Sequence, residues 1–168
     1  MLVEVLVLNE KGCSFGIDVF KLISNKVSCL YVSEKVIKKI GVNPKIVIIE
    51  SESFKKIDTK RYIVVFGKSK GYFNKKLLNN AHSVIVDDRS CIKSKNINTQ
   101  ILVCGMSMND TITVSSNTLE NATVSINKSI KGLFSKIEQE EISLPKNKNN
   151  YELMAAGAIL MLSGYDIS

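Results

Sequence analysis

The sequence predicts an α/β fold: a mostly parallel sheet flanked by helices, with a small antiparallel extension. Three observations predict it. Short runs rich in β-branched residues alternate with helix-like stretches through the first two thirds of the chain. Two of those runs, Lys45 to Ile49 and Arg61 to Phe66, show no polar alternation after their first residues, as in strands buried on both faces. Beyond Gly105 the pattern changes to alternating polar and apolar residues, the mark of half-exposed antiparallel strands.

Taken in order, Leu2 to Leu8 reads as the first strand, ended by Asn9-Glu10-Lys11-Gly12. Asp18 is placed to cap a short helix running through Asn25. Val27 to Val32 reads as a strand. Ser33 then suits the cap of a helix that ends with Gly41 in the C′ position. Asn43-Pro44 turns the chain into the run at Lys45 to Ile49, and Arg61 to Phe66 follows as another buried strand. A helix is expected from Phe73 to Asn80, and Ser83 to Val86 and Gln100 to Cys104 complete the parallel strands. In the extension, Thr111 to Ser115 and Ala122 to Ile126 alternate, and Ile130 to Leu144 adds one or two strands with a turn near Gly132. A final helix spans Asn150 to Leu162. It is apolar almost all round, so it must be buried or covered by a partner, and a homodimer through it is the expectation. The 168 residues form one domain: a parallel part over 1–105, the extension over 106–145 and the closing helix over 150–163.

Composition limits the class. Apolar residues make up 45% and charged residues 23%, as in folded globular chains. The apolar runs, such as Leu153 to Leu162, fall short of the roughly 20 residues of a membrane span. The start, Met1-Leu2-Val3-Glu4-Val5, shows no basic leader before an apolar block, so a cytoplasmic location is expected. The net charge of +7 invites a nucleic-acid or anionic partner. Yet Arg61 and Arg89 are the only arginines, and nucleic-acid sites favour arginine forks and aromatic platforms. Lysine solvation of the surface explains the charge more simply. The cysteines at 13, 29, 91 and 104 form no CxxC pair, and with His82 as the single histidine no zinc spacing arises.

Three stretches bear on binding. The strand–loop–helix Phe66-Gly67-Lys68-Ser69-Lys70-Gly71 offers glycine backbone, two cations and a following helix start, the ingredients of an anion site. It is not a phosphate loop of the form GxxxxGK[ST], because the first glycine would fall on Tyr62. Asp87 and Asp88 follow a parallel strand at the carboxyl edge, where open α/β sheets bind ligands, and suit a hydrated Mg²⁺ or a ribose; Asp-Asp-Arg-Ser is also an ordinary turn. Gly105 to Asp110 is either a binding loop or a tight connection. His82 has no obvious partner carboxylate or nucleophile for catalysis near it in sequence, and no complete catalytic motif occurs.

The latter half, about residues 84–168, resembles the central domain of Mur ligases, the ATP-dependent amino-acid ligases of bacterial peptidoglycan synthesis. Lys148-Asn149-Asn150-Tyr151-Glu152-Leu153-Met154-Ala155-Ala156-Gly157-Ala158 is similar to their HNxxNxxAAxA helix, and Leu162-Ser163-Gly164-Tyr165-Asp166 to the turn after it. Val84-Ile85-Val86-Asp87-Asp88 resembles their strand ending in Asn-x-Asp-Asp. Gln100 to Ser107 resembles the later strand ending in an aromatic residue and glycine. The resemblance implies a Rossmann-like fold of the Mur-ligase central-domain kind, and it places Asn149 beside a nucleoside. The departures are specific. The family's GTxGK[ST] loop is missing, the motif histidine falls on Lys148, and the second motif asparagine falls on Glu152.

These readings point to a non-catalytic binding or accessory domain with no catalytic residue, no metal site of its own and a weak site for a nucleotide or phosphorylated sugar. Lys68, Ser69 and Lys70 are the expected anion contacts, and Asp87, Asp88 and Asn149 the expected nucleoside contacts, with a nucleotide and Mg²⁺ as the implied ligands. The alternatives are a ligase-like, ATP-using enzyme of cell-wall metabolism completed by another chain, and a basic nucleic-acid-binding protein, which predicts salt-dependent retention on DNA or RNA.

Overall fold

The structure is a computed structural model and describes residues 1–59, 61–67, 74–87 and 96–165. Its centre is a seven-stranded sheet of β1 (Val3–Leu8), β2 (Cys29–Val32), β3 (Ile37–Ile40), β4 (Ile46–Ser51), β5 (Tyr62–Phe66), β6 (Ser83–Val86) and β7 (Gln100–Val103). The strand order is β3-β2-β4-β1-β5-β6-β7, with β3 antiparallel to β2 and the other pairs parallel. Among the described residues, α1 (Phe15–Ser24) and α3 (Asn150–Leu162) lie on one face and α2 (Lys75–Asn80) on the other.

The unbroken apolar strands have the predicted cause. Val3, Val5 and Val7 of β1 pack toward α1 and α3, whereas Leu6 and Leu8 pack toward α2. Likewise Ile63 and Val65 of β5 face one core, and Tyr62, Val64 and Phe66 the other. A strand with helices on both faces has no wet side on which to place a polar residue.

The extension is a three-stranded antiparallel sheet, β12-β9-β8, made of β8 (Ile112–Asn117), β9 (Asn121–Ile126) and β12 (Glu141–Pro145). A two-stranded ribbon, β10 (Ile130–Lys131) with β11 (Lys136–Ile137), sits between β9 and β12 in the chain. The stretch from Ile130 to Leu144 thus forms three short strands rather than one or two. The turn between β10 and β11 falls at Gly132, as expected.

The segment from Ser33 to Gly41, expected as a helix, is instead the turn and second strand of a β2–β3 hairpin. Val36, Ile37 and Ile40 have helical spacing, but the side of β2 away from β4 needs a partner, and β3 satisfies its backbone groups along the whole strand. Gly41 keeps a positive φ of 84°, and Ser28 packs where its side chain would be, so the glycine signal marks a turn rather than a helix end. The first helix also starts earlier than Asp18. Ser14 is its N-cap residue, and Asp18 lies in the first turn, paired with Lys21 at 2.8 Å.

Every residue of α3 from Tyr151 to Leu162 is buried. The helix packs on α1 and also on β8, β9 and β12, so it finds its cover within the chain. It can approach β9 because residue 157 is glycine: a Cβ there would lie 2.7 Å from Val124 Cγ1.

Candidate site at the carboxyl edge of the sheet

From β1 the chain passes through α1 to β2 on one side, and from β5 through α2 to β6 on the other. The carboxyl ends of β1 and β5 therefore flank the point where the winding reverses, the place where open α/β sheets bind ligands. Asn9 and Gly67 directly follow those two strands. The Gly67 amide donates to Leu8 O at 2.7 Å, which carries the pairing one step beyond the strands.

Asn9 is 1% exposed. Its Nδ2 donates to Glu50 Oε1 at 2.6 Å, which fixes the orientation of the amide because a carboxylate only accepts. Its Oδ1 then turns toward Gly67, where a Cβ would lie 2.3 Å away, and has no hydrogen-bond partner among the described residues. Glu50, on β4, also accepts from the Gly16 amide at 3.3 Å and from the Tyr31 hydroxyl. Burial, followed by the hydrogen bond to Glu50, pushes the Tyr31 hydroxyl up to about 12, so it stays a donor.

This arrangement decides what the first βα turn can do. A helix start presents unpaired N–H groups and the positive end of its dipole, and phosphates bind there in α/β proteins. In this chain the Glu50 carboxylate fills that position at α1. The Ser14 side chain makes no cap bond, and a Cβ on residue 16 would lie 2.4 Å from Glu50 Oε2. Gly16 and Glu50 are thus a matched pair.

The rest of the turn agrees. Gly12 has a φ of +86°, and Gly12-Cys13-Ser14 stands where a phosphate loop ends in Gly-Lys-Ser/Thr, so an exposed thiol replaces the lysine. Lys11 points to the rim instead. Its Nζ lies 3.3 Å from Glu34 and 3.8 Å from Glu52, and its amide donates to Glu52 Oε1 at 3.2 Å. The turn lines a cleft of 230 Å³ whose wall includes Glu10, Glu34, Glu50 and Glu52. A triphosphate with Mg²⁺ does not fit residues that already present a carboxylate at the phosphate position.

The start of α3 closes over the same edge. Tyr151 donates its hydroxyl to Phe66 O, and its ring stacks on Phe15 with centroids 5.0 Å apart. Asn149 is the N-cap of α3, accepting from the Tyr151 amide at 3.2 Å and donating to Glu152 Oε1 at 3.2 Å. It therefore stands near the end of β5, with its side chain engaged in capping. Asp87 is exposed just after β6, one strand further along the edge. Lys68, Ser69, Lys70 and Asp88 lie outside the described residues.

Other expectations resolve into structure. His82 sits at the opposite edge, with Nδ1 2.8 Å from Ser83 Oγ and Nε2 3.1 Å from Gly132 O. The Gly105 to Asp110 loop is held by Asp110 Oδ2, which accepts from the Ser107 amide at 2.9 Å. Burial raises the Cys29 thiol to about 12 and the Cys104 thiol well above its ordinary value, as for small buried hydrophobes. Among the described residues, no three His, Cys, Asp or Glu side chains are grouped to hold a metal ion. Among them, no helix is long and apolar enough to cross a membrane.

Comparison of the whole fold with solved structures gives a consistent answer. E. coli FolC in complex with DHPP and ADP superposes with a TM-score of 0.55 at 11% identity, over 99% of this chain and 54% of FolC. A bifunctional folylpolyglutamate synthase/dihydrofolate synthase superposes with a TM-score of 0.55 at 9% identity, over 99% of this chain and 55% of that one. UDP-N-acetylmuramoyl-L-alanyl-D-glutamate–2,6-diaminopimelate ligase gives 0.51 at 12% identity, over 99% and 44%. The fold is that of the Mur ligases and FolC. The likeness extends over the whole chain rather than the latter half alone, while the chain spans about half the length of these structures. No protein-family model and no curated protein matches the sequence.

Sequence reasoning missed Asn9, Gly16, Tyr31 and Glu50. The signals were present but slight: an asparagine directly after a buried strand, and a carboxylate at the end of the apolar run Ile46 to Ile49.

Proposed function

We propose that this chain is a non-catalytic binding or accessory domain on a Mur-ligase-like fold. One observation carries the reading: the chain's own Glu50 caps α1 at the position where a nucleotide phosphate would have to sit. Phosphoryl transfer works by positioning and charge stabilisation at a phosphate cradle, and a fixed carboxylate there opposes both. The rival reading, a ligase-like enzyme completed by another chain, needs that cradle free. A weak nucleotide or phospho-sugar contact would instead be made beside β5 and β6, by Lys68, Ser69, Lys70, Asp87, Asp88 and Asn149.

The purified chain is expected to release no phosphate from ATP with Mg²⁺. Thermal melts with nucleotides and UDP-sugars at about 1 mM are expected to show a small stabilisation. That response should survive Cys13→Ala and vanish in Lys68→Ala/Lys70→Ala. ATP turnover by the chain alone, or a response abolished at Cys13, would sink the proposal.

A further inference from the structure

One edge of the large sheet is β3, and all four of its residues are exposed. Within seven positions the chain exposes Val36 (37%), Ile37 (73%), Ile40 (46%) and Val42 (83%). They are four of the ten large apolar side chains exposed among the described residues, so this edge concentrates what the rest of the surface scatters.

Among the described residues, the outer backbone of β3 has no hydrogen-bond partner. The Ser33 amide donates to Val36 O, which makes Ser33 and Val36 a hydrogen-bonded pair at the hairpin turn. With Tyr31 opposite Lys38 and Cys29 opposite Ile40, alternation directs the amides and carbonyls of Val36, Lys38 and Ile40 toward β2. The main-chain groups of Ile37 and Lys39 therefore face away from the sheet.

Charge selects the occupant. Lys35, Lys38 and Lys39 surround the apolar side chains, and the one acid in the hairpin, Glu34, is tied to Lys11. A second copy of β3 pairing antiparallel would set these lysines against one another, which disfavours self-association. Edge lysines alone would account for protection against self-pairing, but not for two exposed isoleucines between them and the turn residues. Each face of β3 carries one isoleucine and one lysine, Ile37 with Lys39 and Lys38 with Ile40.

We propose that β3 is a docking edge for an extended acidic segment of a partner protein, added as an eighth strand. Opposite Ile37-Lys38-Lys39-Ile40 the fitting order is apolar, acidic, acidic, apolar, which reads alike in both strand directions. The inference is independent of the nucleotide question, because β2, β4 and β1 lie between β3 and β5 in the sheet.

The test uses a fluorescein-labelled peptide with Val-Glu-Glu-Val at its centre, flanked by threonines, and a matched peptide with lysines for the glutamates. Fluorescence anisotropy is expected to show binding of the acidic peptide only, weakening with salt. Lys38→Glu/Lys39→Glu should lower that affinity by at least about tenfold, reversing two favourable cross-strand pairs. Lys39→Pro should abolish binding, since it removes an outward amide while leaving the β2 ladder and the melting temperature nearly unchanged. The proposal falls if the acidic peptide binds no better than the lysine peptide, or if Lys39→Pro binds normally. It also falls if sedimentation shows a dimer that Ile37→Ser dissociates, because a second copy would then be the occupant.

Discussion

Glu50 shows how one side chain joins three segments of the fold at a helix start. The carboxylate supplies α1 with the negative charge that a helix start favours, so the turn is stable without a ligand. The same contact is what the proposed loss of phosphate binding rests on. His82 is a second case of a polar group absorbed by structure. Its ring joins β6 to the β10–β11 turn through Ser83 and Gly132, and burial lowers its pKa from 6.5. The unfolded chain therefore takes up the proton first, and the stability held by neutral His82 is lost as pH falls below about 6.5. Urea denaturation at about pH 7.5 and pH 5 should show this loss, and His82→Gln should reduce the difference between the two. An unchanged difference would mean that other groups carry the acid sensitivity.

The strands legible in the sequence were those whose environment is uniform. β1, β5 and β6 are buried on both faces, and burial writes itself into a continuous apolar run, whereas β4 alternates buried with half-buried residues although its sequence is equally apolar. α3 was legible for the same reason: surrounded on all sides, it carries no polar stripe. β3 was not legible. Its four residues touch little, so no burial pattern constrained them, and the spacing of three apolar residues imitated a helix. Gly157 exposes the local cost of such close packing. Alanine there would gain about 1 kcal/mol in helix propensity. The added methyl, however, would press on Val124, and overpacking costs about 1–3 kcal/mol. Gly157→Ala is expected to destabilise the chain by about 1 kcal/mol net in urea melts, and Val124→Ala in that background should recover part of the loss. Simple additivity of the two substitutions would show that they do not meet.

α3 is also what makes the two sheets one body. It contacts α1 over the parallel sheet and β8, β9 and β12 of the extension, so neither part has a complete core without it. Far-UV circular dichroism and tyrosine fluorescence should therefore report one coincident urea transition. Two separated transitions would show that the extension folds independently of the parallel sheet. The same sharing explains why a helix this apolar needs no second protomer to cover it.

The sequence by itself determined the layered α/β architecture, the succession of parallel strands along the chain and the appended antiparallel sheet, because periodicity and burial are properties of contiguous residues. It also placed Asn149 at the start of the closing helix, although the capping role came only with the fold. The tertiary structure alone decided the state of the first βα turn. Asn9, Gly16, Tyr31 and Glu50 come from the turn after β1, from α1, β2 and β4, up to 41 positions apart, and meet only where the strand ends converge. No local pattern records a contact of that kind, since the energy that fixes it is shared among segments that the chain order keeps apart.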